Sequence, residues 1–112
     1  MTKRVVIARG DSHTFTGKAA YPDDTVPASV ETGEVTLYVR PKGEASPVIT
    51  AGPVNPTAVT GAYSITLAAI QTRTLLESTE YDAEVRYVNG SVEDQMECFT
   101  LEIKPSIGAP AS

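Results

Sequence analysis

Three consecutive residues near the N-terminus, Asp11-Ser12-His13, hold the side-chain types of a hydrolytic relay: an acid, a nucleophile and a base. Such a relay needs the hydroxyl on one imidazole nitrogen and the carboxylate on the other. Consecutive residues on a strand point to opposite faces, so these three cannot form that line among themselves. The chain has no Gly-x-Ser-x-Gly elbow, and His13 is its sole histidine. His13 is therefore expected as an exposed strand residue with no catalytic part. Cys98, the sole cysteine, follows Glu97 and lies near Asp94, whereas a reactive thiolate needs cationic neighbours. It reads as an inert small residue, buried or half-buried, and it has no intramolecular disulfide partner. One His and one Cys also fall short of a usual zinc set. Asp23-Asp24 and Glu93-Asp94 are acidic pairs. Calcium takes about six to eight oxygens from ligands at tuned spacing, so these pairs read as solvated turns. Gly10 and Gly17 do not open a helix, so neither belongs to a phosphate-cradling loop.

Two short motifs carry a plainer meaning than their names. Arg9-Gly10-Asp11 is the tripeptide of integrin ligands. It reads instead as the turn between the first two strands, with Gly10 supplying a permissive backbone and Asp11 capping the turn. Asn89-Gly90-Ser91 fits the N-glycosylation pattern. Lying between two alternating runs, Asn89 and Gly90 read as a tight hairpin turn in which both tolerate positive φ.

The elements that hold these residues are read from period-2 alternation, the mark of a half-buried strand. Val35, Leu37 and Val39 share one face of residues 35–40, and Tyr63, Ile65 and Leu67 one face of 63–67. Tyr81, Ala83, Val85 and Tyr87 do the same over 81–87, and Phe99, Leu101 and Ile103 over 97–104. Weaker strands are expected at 3–8, at 12–20 around Phe15, and at 47–51. The last ends at Gly52-Pro53, which suits an edge. Only residues 68–76 read as helical, for about one turn. About seven strands with one greasy face each predict an all-β, immunoglobulin-like antiparallel β-sandwich. It spans residues 1–105, with 106–112 a mobile C-terminal tail.

Composition agrees. The 112 residues suffice for one domain, and the hydrophobic fraction of 41% is that of a folded protein. With a net charge of −5 and no basic cluster, nucleic acid is not an expected partner. No apolar run approaches the roughly 20 residues that span a bilayer, so no membrane partner is expected either. The stretch Val5-Val6-Ile7-Ala8 is too short for the core of a signal peptide. Synthesis in the cytoplasm of the producing cell is expected.

One local pattern is more specific. Leu75-Leu76-Glu77-Ser78-Thr79-Glu80-Tyr81 places leucine six residues before a tyrosine that opens a strand. In immunoglobulin-like sandwiches a tyrosine at this corner bonds its hydroxyl to backbone a few residues upstream while its ring fills the core. Tyr81 is expected in that role, with Leu75 or Leu76 plugging the end of the sandwich.

The order of these segments resembles the immunoglobulin-like domains of bacteriophage virion proteins, and is similar to the N-terminal domain of phage baseplate upper proteins. Arg9-Gly10-Asp11 with Thr14-Phe15 resembles that family's opening turn and strand, and residues 35–39 its central strand. Residues 60–67 resemble its Thr-Gly strand and 72–76 its short turn ending in leucine. Residues 81–85, Asn89-Gly90 and 99–103 resemble its closing hairpin. The likeness runs from Arg4 to Pro105, except that the 23–28 loop has no counterpart. The family's domain is followed by a longer stalk or receptor-binding region, which this sequence lacks. On that departure, an attachment role without a host-recognition role is expected.

The resemblance implies a non-enzymatic structural protein of a virion (tail, baseplate, neck or capsid decoration), with no catalytic residues, no cofactor and no small-molecule substrate. Its partners would be other virion proteins in a symmetric, multi-copy assembly. The edge near Val48, Ile49 and Thr50 is the expected docking strand, able to pair with a partner's sheet. A cell-surface adhesion or carbohydrate-binding module is the competing function. Sugar-binding sandwiches display aromatics, and here Trp is absent, with Tyr21 and Tyr38 the only tyrosines off the inward faces.

Overall fold

A computed structural model describes residues 3–105 except 22 and 24; the expected tail at 106–112 lies outside the described residues. The strands are β1 (Lys3–Ala8), β2 (His13–Lys18), β3 (Glu34–Pro41), β4 (Ile49–Val54), β5 (Ala62–Leu67), β6 (Thr79–Asn89) and β7 (Val92–Lys104). A 3₁₀ turn at Val30–Thr32 precedes β3, and the short helix α1 (Ala69–Thr72) follows β5. The protein is all-β. A five-stranded sheet ordered β1-β7-β6-β3-β4 packs against the pair β2-β5 as a sandwich.

The alternating residues supply the core. Val35, Leu37 and Val39 of β3, Tyr81, Ala83, Val85 and Tyr87 of β6, and Phe99, Leu101 and Ile103 of β7 are buried from the large sheet. Phe15, Tyr63, Ile65 and Leu67 meet them from the small one. The rings of Phe15 and Phe99 stack across the layers with centroids 5.1 Å apart. Each such side chain contributes about 1.5–3 kcal/mol through removal from water. Gly17 pairs with Tyr63, and a Cβ there would lie 2.3 Å from the tyrosine hydroxyl. The missing side chain lets the ring lie flat over β2.

Two strands cannot cover five, so loops complete the second layer. Val30, from the 3₁₀ turn in the long 19–33 connection, is fully buried. The Tyr87 hydroxyl donates to the Val30 carbonyl at 3.1 Å. Gly33 lies under the same ring, where a Cβ would come within 2.4 Å.

Several expectations need correction. All strand pairs are antiparallel except β1 and β7, which run parallel from Lys3 beside Phe99 to Ala8 beside Lys104. The reason is the first turn. It carries the chain from one sheet to the other instead of closing a hairpin, leaving β1 to run along the outside of β7. Strand β4 continues past Gly52-Pro53 to Val54, with a register shift against β3 between Val35 and Leu37. Gly52 takes φ +97 there, and a Cβ would sit 3.0 Å from the Val35 carbonyl oxygen. A bulge built on glycine absorbs the break that the sequence suggested.

The hairpin turn is also shifted. Asn89 is the last residue of β6 and pairs with Val92, so Gly90 and Ser91 are the central residues. Only Gly90 has positive φ, at +63, the pattern of a turn with glycine at its first central position. The Asn89 side chain instead holds the 3₁₀ turn, donating to Thr32 Oγ1 at 3.0 Å and to the Tyr87 hydroxyl at 3.1 Å. Cys98 is exposed, not buried. It alternates with Phe99 onto the outer face of the large sheet, which no second layer of the described residues covers. His13 is half-buried, because it shares the inward face with Phe15 and meets that ring edge-on at 4.6 Å.

Candidate functional site

The residues that suggested chemistry are tied into the scaffold. At the Arg9-Gly10-Asp11 turn, Asp11 N–H donates to the Ala8 carbonyl at 3.1 Å and Gly10 takes φ +88. The Arg9 Nε donates to the Leu75 carbonyl at 3.1 Å. Thr72 of α1 locks the turn from behind. Its Oγ1 accepts from Gly10 N–H at 3.1 Å and donates to the Asp11 carbonyl at 2.8 Å. Asp11 closes the turn through its backbone, while its side chain lies in solvent. A tripeptide held by its arginine and its backbone is a layer crossing, not a displayed loop.

At the adjoining end, the Tyr81 hydroxyl accepts from Leu76 N–H at 2.9 Å, the arrangement its position called for. Leu75 is the plug at 2% exposure, while Leu76 points outward at 68%. The Asp23 carboxylate accepts from Thr25 N–H at 3.0 Å, and this bond holds its pKa below the ordinary value. Asp24 lies outside the described residues, and Glu93 and Asp94 are exposed on β7. Among the described residues, no three His, Cys, Asp or Glu side chains gather to hold a metal. No helix there is long and apolar enough to cross a membrane.

Charged groups collect on the outer face of the large sheet, where they satisfy one another. Glu84 accepts from Arg40 Nη1 at 3.1 Å, from Arg86 Nη1 at 2.8 Å and from Gln95. Burial works to raise its pKa, but hydrogen bonds from Gln95 and Arg86, the Arg86 charge and the Arg40 bond hold it below the ordinary range. Glu80 pairs with Arg4 at 2.6 Å and Lys42 at 3.3 Å, and Arg4 also meets Glu102. Exposed pairs of this kind are worth little individually. Their consequence is a face committed to internal ion pairing.

The opposite property marks the flank where β4 and β5 lie. From Ala45 through Thr72 the chain carries no Asp, Glu, Lys, Arg or His. This run makes β4, the 55–61 turn, β5 and α1. It includes Val48 at 54%, Val59 at 86% and Ile70 at 70% exposure. Val59 also takes φ +72, a region that a β-branched side chain enters only at a cost. The cost is not recovered by burial, since the side chain stands in solvent. A groove of about 500 Å³ between β5, the end of β4 and β2 is lined by Thr16, Val54, Asn55, Thr57, Tyr63 and Ser64, among others, all uncharged. Burial, with a smaller contribution from Glu97, pushes the Tyr63 hydroxyl up to about 12, so it stays a neutral phenol.

The three residues expected to dock lie on this flank in different ways. Strand β4 is an edge of the five-stranded sheet. Val48 precedes the strand and donates its N–H to the Val39 carbonyl at 2.8 Å, leaving its side chain exposed. Thr50 is exposed on the outer face, whereas Ile49 is a core residue that offers a partner only backbone. Depletion of charge is the compositional mark of the centre of an interface. It is plain in the sequence, yet alternation of apolar and polar residues passes over it, because Thr, Ser and Asn count as polar alongside Lys and Glu. Compared with known proteins, the chain matches no family model and no curated sequence.

Proposed function

We propose that this protein is a non-catalytic docking domain, a structural component of a bacteriophage virion that joins neighbouring subunits through its β4–β5 flank. The observation that carries the docking role is the charge-free run from Ala45 to Thr72, laid along a free sheet edge with Val48 and Val59 exposed. An edge strand offers unpaired backbone donors and acceptors, and an uncharged border lets a partner cover them without desolvating ions. The virion setting is supported by the likeness of strand order and turns to phage immunoglobulin-like domains. On this reading the partners are other virion proteins in a symmetric multi-copy assembly, and the chain needs no cofactor.

The test is mass spectrometry of purified particles from cells that make the protein. The polypeptide is expected at a fixed stoichiometry with the other structural proteins. In a Val48→Lys variant that folds normally, incorporation is expected to fall. Particles that lack the wild-type chain refute the virion role, and undiminished incorporation of the variant refutes the flank.

A further inference from the structure

We infer that the occupant of the β4 edge is a second copy of this chain, paired antiparallel about a two-fold axis through Thr50. This inference rests on the docking reading of the same flank and names its partner. Around Thr50 the sequence is Pro47-Val48-Ile49-Thr50-Ala51-Gly52-Pro53. The two prolines stand at equal distance on either side of Thr50. Proline has no N–H to give a ladder, so together they bound a pairable window whose midpoint is Thr50. A two-fold axis there sets Thr50 against Thr50 of the other copy, Ile49 against Ala51 and Val48 against Gly52. Each proline then falls opposite a proline, where no donor is demanded.

The charge pattern favours a copy over a different protein. Residues close to a two-fold axis meet their own equivalents, so any charge there faces a like charge. Of the strand edges, β1 carries Lys3 and Arg4, β2 carries His13 and Lys18, and the stretch of β7 not covered by β1 carries Glu93, Asp94 and Glu97. The β4 window and β5 carry none, and of these two only β4 is bounded by prolines at equal distance from its midpoint. A hetero-partner commonly gains specificity and steering from complementary charges, and the β4 window itself carries none, the nearest being Lys42, Glu44 and Glu80 around the groove beside Val48. Self-association interfaces are the more apolar class. Thr50 adds a side chain that pairs well with itself, since cross-strand threonines hydrogen-bond on a sheet face. The product is a continuous sheet running through both copies, its two β4 edges covered.

Directly opposed residues of antiparallel strands have Cα atoms about 4.5–5.5 Å apart. That spacing lies inside the range of about 4.4–6.8 Å over which disulfides form. Thr50→Cys in a Cys98→Ser background is therefore expected to give a covalent dimer under mild oxidation, and Ser91→Cys at the hairpin tip is the control that does not. By analytical ultracentrifugation at about 100 µM the wild type is expected as a dimer. Thr50→Lys places two ammonium groups face to face and should raise the dissociation constant on the order of tenfold or more. Mixing Thr50→Lys with Thr50→Glu should restore a dimer that neither forms alone. A monomeric wild type, or a dimer indifferent to Thr50→Lys, overturns the two-fold. A monomer that still enters particles overturns the two-fold and leaves the docking role standing. A dimer absent from particles does the reverse.

Discussion

Thr72 is the one polar side chain buried among the described residues, and its removal tests how the turn between β1 and β2 is held. Its hydroxyl makes two bonds to the turn, accepting from Gly10 N–H and donating to the Asp11 carbonyl, and it also reaches the Ala69 carbonyl of its own helix at 3.1 Å. Thr72→Val keeps the shape of the side chain and deletes both bonds, so no cavity enters the cost. An intramolecular hydrogen bond contributes about 1 kcal/mol net, and a buried donor left without a partner costs about 1–3 kcal/mol. The Gly10 amide is part-buried and would bear part of that cost. Asp11 is exposed and its carbonyl is easier to hydrate, so the expected loss is about 2–3 kcal/mol. In urea, with a slope of about 1.5 kcal/mol per molar for a chain of this size, the midpoint should fall by about 1.5 M at unchanged slope.

Thr72→Ser supplies the contrast. It keeps the hydroxyl and loses one methyl, for about 1 kcal/mol. The order of costs, Val above Ser, is what the geometry demands. If Thr72→Ser were the more destabilising, or Thr72→Val cost under about 0.5 kcal/mol, packing of the methyl and not the paired hydrogen bonds would hold the turn.

Three further outcomes are set by individual contacts. Tyr81→Phe should cost about 1 kcal/mol in the same titration, because the ring stays and the Leu76 amide it abandons lies near water; an unchanged midpoint would count against the corner. Gly33→Ala should cost about 1–3 kcal/mol by overpacking, since a Cβ there meets the Tyr87 ring at 2.4 Å while φ of −88 suits alanine; a neutral melt would move that ring elsewhere. Glu84 has a folded pKa below its ordinary value of 4.5, so its contribution is fully present above about pH 4.5 and is lost as pH falls through the lower folded value. Stability measured from about pH 7 to about pH 3 should therefore fall more steeply for the wild type than for Glu84→Gln, and parallel curves would deny the carboxylate its role.

The strands that alternate strictly were legible because their burial is local. β3, β5 and β6 each place every second residue in the core, and that pattern needs no knowledge of the partner. The first half of β7 was not legible. Val92 to Gln95 are exposed and show no alternation, and they form a strand because the Gly90-Ser91 turn sets them in register with β6. Met96 is the extra residue of a bulge opposite Val85 and Arg86, and the bulge turns the strand so that Phe99, Leu101 and Ile103 face the core. Val30 was hidden for a different reason. A single apolar residue in a loop becomes core only when Tyr87 and Asn89, far along the chain, close over it. Thr72 likewise looked like an ordinary helix residue until the turn folded against it. The proposed docking edge was half legible. Gly52-Pro53 marked an edge strand, but Ile49 faces inward, and the property that sets the flank apart is absence of charge over a long run.

That absence gains its meaning from where the charges went. The outer face of the large sheet is flat, broad and unlayered among the described residues, the kind of surface that stacks unless it is made costly to dehydrate. Arg4, Arg40, Lys42, Glu80, Glu84, Arg86 and Glu102 cover it with paired ions, and covering them in turn would desolvate every one. Strand β1 closes one side of the same sheet with Lys3 bonded to Glu97 at 3.1 Å, and charged edges resist strand addition. Ionic groups thus make the largest face and the β1 edge costly to cover, which leaves the uncharged β4 and β5 edges for the proposed contact. A charge placed at Thr50 should weaken association on the order of tenfold or more, whereas removal of a charge from the outer face, as in Glu84→Gln, should leave the β4 contact intact and make the wrong face sticky. In the proposed contact, specificity would rest on the residues that refuse a partner as much as on the strand that offers one.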